Sequence, residues 1–128
     1  MPATDIVKRW LRALADRDLD RLRTLMVTDF TLEESTVLPW GGVYYGPDGF
    51  FEYFLRRHSM IDAIPHIDQI FDAGNRIIVI ADSQGIVRGT GHPIHCREVT
   101  SYQVRDTRIA RCTLYEDTPT MLGFLADS

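Results

Sequence analysis

Apolar positions in the first part of the chain recur at helical spacing. Ile6, Val7, Trp10, Leu11 and Leu14 stand on one face, with Arg9, Arg12 and Arg17 on the other. This pattern predicts an amphipathic helix over residues 5–15, with Thr4 as its N-cap and Asp5 in the first turn. A second helix is expected from residue 19, capped by Asp18, with Leu19, Leu22, Leu25 and Met26 as its apolar stripe. Phe30 to Glu34 alternates and carries strand formers, so residues 30–34 read as a short first strand. A loop rich in Gly and aromatics follows over residues 38–49. It leads into a short helix that Pro47 opens and that Phe50, Phe51, Phe54 and Leu55 make apolar on one face. Arg56 and Arg57 suit the C-terminal end of that helix.

Beyond it the period drops to about two. Residues 60–65 read as a connector, 66–71 as a strand, 72–75 as a tight turn and 76–83 as the next strand, continuing extended over 84–91. Residues 94–105 and 108–116 form a further pair around an Asp106-Thr107 turn. A closing helix starts near Thr118-Pro119, with Met121, Leu122 and Leu125 inward and Asp117 and Thr118 competing as its cap. Helices packed on one face of an antiparallel sheet give an α+β fold. The expectation is a curved antiparallel sheet, an α+β barrel shaped as a cone. Three helices from the N-terminal half cover its hollow side, and a short helix closes the C-terminus. Residues 1–128 are expected to form a single domain.

Composition narrows the function classes. The 128 residues carry 14 Lys and Arg against 18 Asp and Glu, a formal net charge of −4. With the Arg residues scattered among acids, no basic stripe for nucleic acid is present. No apolar run reaches the length of about 18 residues that a spanning helix needs, and the N-terminus lacks a signal-peptide pattern; no membrane partner and a cytoplasmic location are expected. Two cysteines, Cys96 and Cys112, are too few for a disulfide framework and are expected reduced. His92, His95, Cys96, His58 and His66 match no metal-ligand spacing, so neither a metal nor a cofactor is expected.

Three stretches carry a family resemblance: Trp10 to Asp20, Leu38 to Phe50 (L-P-W-G-G-V-Y-Y-G-P-D-G-F), and Thr100 to Ile109 followed by Leu114 to Thr118. They resemble the nuclear-transport-factor-2-like superfamily, and within it the SnoaL-like, ketosteroid-isomerase-related proteins. The resemblance implies a cone of curved sheet, a pocket at its wide end and a homodimer built through the outer sheet surface. It leaves function open, because one fold hosts many chemistries. Residue by residue it puts Glu34 at the position of the isomerase's carboxylate base, Trp10 at that of its Tyr donor and Thr100 at that of its Asp donor. An indole N–H and a hydroxyl are weaker donors than the pair they replace. The Asp-Arg-Asp set of epoxide-hydrolase relatives falls on Leu114 with Ala81 and Ser83.

Glu34 is thus the candidate base: a carboxylate facing an apolar cavity has its charged form disfavoured. The competing reading is an acid solvated at a strand edge. For Glu98 and Glu116 the argument is one of register. If the hairpin at Asp106-Thr107 contains one bulge, Tyr102 lies opposite Cys112, Thr100 opposite Leu114 and Glu98 opposite Glu116. Both acids then share the pocket, unless the strand ends are wet. Trp40, Tyr45, Phe51 and Phe54 are candidates for its aromatic wall, Tyr102, Cys112 and Leu114 for its floor, and His58 for a group near its opening. The expected partner is a small hydrophobic or aromatic carbonyl compound. One reading is a cofactor-independent isomerase or aldol-type cyclase, with Glu34 as base and Trp10 and Thr100 as donors; the other is a noncatalytic ligand-binding or protein-interaction domain.

Overall fold

The computed structural model describes residues 1–126. The chain order is α1 (Ala3–Ala15), α2 (Leu19–Thr24), β1 (Met26–Glu34), β2 (Gly42–Tyr45), α3 (Gly46–Met60), β3 (Ile61–Asp72), β4 (Ile77–Val87), β5 (Pro93–Arg105), β6 (Arg108–Glu116) and α4 (Thr118–Ala126). The strands form one curved, unclosed sheet in the order β2-β1-β6-β5-β4-β3. β3 to β6 make the expected antiparallel meander, and β1 joins β6 in parallel. The fold is the α+β cone.

Four local expectations are corrected. Pro2, not Thr4, stands at the N-cap of α1 and makes no side-chain cap; its carbonyl accepts from Asp5 N at 3.0 Å, and Thr4 lies inside the first turn. Met26 belongs to β1, because the strand begins earlier than its alternation shows: a register shift between Met26 and Thr31 breaks the period of two. Residues 42–45, read as loop, form the short edge strand β2 against Thr31 to Glu34. Residues 61–65, read as connector, already belong to β3. Pro65 is tolerated there because β3 is an edge strand with one side free of ladder bonds. Asp18 caps α2 as expected, accepting from Arg21 N at 3.1 Å. At α4 the cap is Asp117, whose carboxylate takes the Thr120 hydroxyl at 2.7 Å.

The core lies between α1, α3 and the concave sheet face. Trp10, Phe30 and Phe50 form its aromatic centre, with Trp10 and Phe50 edge to face at 4.9 Å between centroids. The β5–β6 register is the one expected, with its shift between Gln103 and Val104: Glu98 pairs with Glu116, Thr100 with Leu114 and Tyr102 with Cys112. Both cysteines are free and buried.

Candidate functional site

α3 presents Phe50, Tyr53, Phe54, Arg57 and His58 at helical spacing toward the sheet. This differs from the expected face: Leu55 is 62% exposed, and Phe51 packs outside the cavity under the Arg23 guanidinium, 4.9 Å from its ring centroid. Opposite this stripe, β4, β5 and β6 turn Val79, Ala81, Glu98, Thr100, Tyr102, Cys112 and Leu114 inward, and α1 lays Trp10, Leu11 and Leu14 across. The cavity, open at one end, measures about 100 Å³. That is less than the roughly 150 Å³ of an apolar cavity that holds benzene, so a flat ligand would also use the open end of this mostly apolar hollow.

Of the candidates, Trp10, Phe54, His58, Glu98, Thr100, Tyr102, Cys112 and Leu114 border this cavity. Trp40 and Glu34 are buried but stand behind it. The Glu116 side chain is buried next to them. Phe51 is outside, and Tyr45 is 70% exposed on the far side of β2, because alternation along that strand turns Tyr44 in and Tyr45 out.

The polar heart of the site is a buried set of three carboxyls and one guanidinium. Arg57 Nη2 donates to Glu116 Oε1 at 3.0 Å and lies 3.7 Å from Glu98 Oε2. Tyr53 Oη and Trp40 Nε1 both donate to Glu34 Oε1, at 2.9 and 3.0 Å. Glu34 also lies within hydrogen-bond reach of the Glu116 carboxyl. Burial, and then the Glu116 charge, push the Glu34 carboxyl up to about 8. A proton held on Glu34 explains why neither Glu34 Oε2 nor Glu116 Oε2 meets an N–H or hydroxyl donor: that proton can bridge the two acids. Burial likewise raises Glu98 to about 7, against the opposing pull of Arg57. Burial disfavours the charge on Arg57, but the surrounding acids outweigh it and hold the guanidinium protonated. Its Nε–H has no partner.

Tyr102 borders the same cavity with Trp10 and Thr100, and burial raises its hydroxyl well above an ordinary phenol, with Trp10 and Thr100 pulling weakly the other way. The two residues aligned with the isomerase's donor pair thus both border the cavity, beside Tyr102, which was expected in its floor. Tyr53 and Arg57 were missed as site residues. A signal existed: both lie on the helical stripe that runs from Phe50 to His58, where a Tyr and an Arg interrupt apolar positions.

The loop that delivers Trp40 folds back on β1. A Cβ on Gly41 would sit 1.7 Å from the Ser35 carbonyl oxygen, so only glycine permits that approach. Trp40 is fully buried there, and its carbonyl accepts from the Tyr44 hydroxyl at 2.8 Å.

The fold has counterparts among solved structures. An NTF2-like protein of unknown function from Burkholderia pseudomallei superposes with a TM-score of 0.88 at 18% identity, covering 98% of each chain. TerC, crystallised with polyporic acid, gives 0.86 at 17% identity over 95% of this chain and 96% of its own. A protein from Shewanella putrefaciens described as a SnoaL-like polyketide cyclase gives 0.80 at 20% identity over 100% and 99%. At such identities the likeness establishes the fold. No curated protein matches the chain in sequence. Residues 7–112 match the SnoaL-like domain, and with most of its length inside that match the chain belongs to the SnoaL-like family, with an NTF2-like fold.

Proposed function

We propose that this protein is a cofactor-independent acid–base catalyst acting on a small, mostly apolar carbonyl compound. One observation carries this reading: Glu98, raised to about 7, borders the apolar cavity beside the cationic Arg57. A general base works best with its pKa near the working pH. In this reading Glu98 takes a proton from the carbon next to the carbonyl. The electron pair moves onto the carbonyl oxygen, and Arg57 N–H groups receive the oxyanion. Return of the proton to another carbon completes an isomerisation; attack of the enolate carbon on a second carbonyl completes an aldol closure. The base is then Glu98 rather than Glu34, whose Oε1 is already held by two donors behind the cavity. Trp10 and Thr100 border the cavity beside Tyr102 and shape its wall. The relative crystallised with polyporic acid supports a flat, oxygenated aromatic as the kind of molecule such a cone takes.

The test is hydrogen–deuterium exchange at the α-carbon of 2-tetralone in D2O, followed by NMR. The protein should accelerate exchange, and Glu98→Gln should lower that acceleration by about 100-fold or more. Exchange no faster than in buffer, or undiminished in Glu98→Gln, sinks the catalytic reading. A noncatalytic binder is the second reading, favoured by the ion pair that already occupies Glu98; tetralone would then raise the melting temperature without promoting exchange.

We also propose a homodimer through the outer sheet face, where Phe71 and Tyr115 are exposed and Ile78, Ile80 and Val99 half-buried. Sedimentation equilibrium at micromolar concentration should give twice the chain mass, and Tyr115→Lys should shift it toward one.

A further inference from the structure

Where the cavity opens, its rim carries more cation than it can satisfy. Arg17 Nη1 lies 2.8 Å from His58 Nδ1, and Arg88 Nη2 lies 2.6 Å from His58 Nε2. Arg88 Nε also donates to the His58 carbonyl. Arg17 Nη2 donates to Asp62 Oδ1 at 2.9 Å, and Arg88 Nη2 stands 3.8 Å from the other Asp62 oxygen. The His58 ring stacks on Phe54, nearly parallel at 8°, and both rings border the cavity.

A neutral imidazole offers one acceptor nitrogen and one N–H. Guanidinium groups only donate. Two guanidiniums against the two ring nitrogens therefore leave one donor facing a donor. Protonating the ring makes this worse, and His58 is indeed pushed below its ordinary value, by burial first and then by Arg17 and Arg88. Across these four side chains two cations face one carboxylate. An added anion is the group that would relieve the mismatch: it accepts from whichever guanidinium the ring cannot.

The backbone singles out the same place. Arg17 has φ +51°, in the left-handed region. It follows α1, with Arg17 N bonding to Leu14 O and Asp18 N to Ala13 O. That is the helix-ending turn in which glycine is the favoured residue. A strained arginine there, with its side chain half-exposed on the cavity rim, trades stability for a guanidinium at that point.

We infer that Arg17 and Arg88 form a carboxylate subsite at the cavity rim, so that the ligand is an apolar molecule with an anionic end. The apolar body enters between Phe54 and the sheet, and the carboxylate displaces one guanidinium from His58. This rests on the reading of the cavity as a ligand pocket and extends it to the ligand's charge.

The experiment compares 3-phenylpropanoate with 3-phenylpropanamide by calorimetric titration at low salt, with 2-tetralone as a neutral control. The acid should bind at least ten-fold tighter than the amide. In Arg17→Gly, which suits the left-handed turn, and in Arg88→Gln, the difference should shrink to within about two-fold; Arg17→Lys should restore part of it. If tetralone binds and the acid has no advantage, or keeps its advantage in both variants, the rim proposal is overturned while the pocket reading stands. If none of the three binds, both fall.

Discussion

The Tyr53 hydroxyl donates to Glu34 Oε1 across 2.9 Å, joining the middle of α3 to the last residue of β1. Trp40 donates to the same oxygen from the loop that follows. One buried carboxyl thereby ties helix, strand and loop together behind the cavity. Tyr53→Phe removes one of the two donors while keeping the ring in the cavity wall, and should destabilise the protein by about 1–2 kcal/mol in urea unfolding.

The two raised carboxyls predict an unusual pH dependence. Glu34 at about 8 and Glu98 at about 7 both lie above their ordinary value of 4.5. The folded state therefore keeps protons that the unfolded chain releases. The resulting stabilisation is complete below about pH 4.5 and is lost as pH rises through 7 and then 8. Unfolding free energy should fall on the order of a few kcal/mol across that window. Glu34→Gln should remove the part of the slope nearest pH 8, as read from urea midpoints at half-unit pH steps. An unchanged slope in that variant would mean that Glu34 titrates in an ordinary environment.

Arg17→Gly should stabilise. The left-handed turn costs a non-glycine residue roughly 1–2 kcal/mol, and the half-exposed pair with Asp62 at 2.9 Å returns less than that. The net gain expected is about 1 kcal/mol, visible as a higher melting temperature in the same variant that loses carboxylate preference. A lower melting temperature would show that the rim contacts outweigh the backbone strain.

Gly41→Ala should act in the opposite direction. The added Cβ would collide with backbone at Ser35, which cannot rotate away as a side chain can. A loss of about 1–3 kcal/mol is expected, together with a red-shifted tryptophan emission as Trp40 leaves its buried position. Near-native emission would mean that the loop has another way to seat the indole.

Much of the architecture was written in local pattern. Apolar spacing determined α1 and the existence of α2, the change of period marked the C-terminal meander, and the Asp106-Thr107 turn with one bulge set the β5–β6 pairing that puts Glu98 beside Glu116. Such features depend on neighbours along the chain or across one hairpin. The edge strand β2, the early start of β3 and the parallel pairing of β1 with β6 were not legible, because each is decided by a distant partner. The site divides in the same way. That Glu34, Glu98, Tyr102 and Cys112 face inward could be argued from alternation and resemblance. Which acid touches the cavity, and which stands behind it, depends on how α3 lies over the sheet: Tyr53 and Arg57 come between Glu34 and the hollow, and Arg57 joins Glu98 to Glu116. The convergence of Arg17 and Arg88 on His58 brings together groups 41 and 30 residues apart. Sequence spacing carries no trace of such a contact, because the long-range packing of helix on sheet creates both the meeting and its charge imbalance.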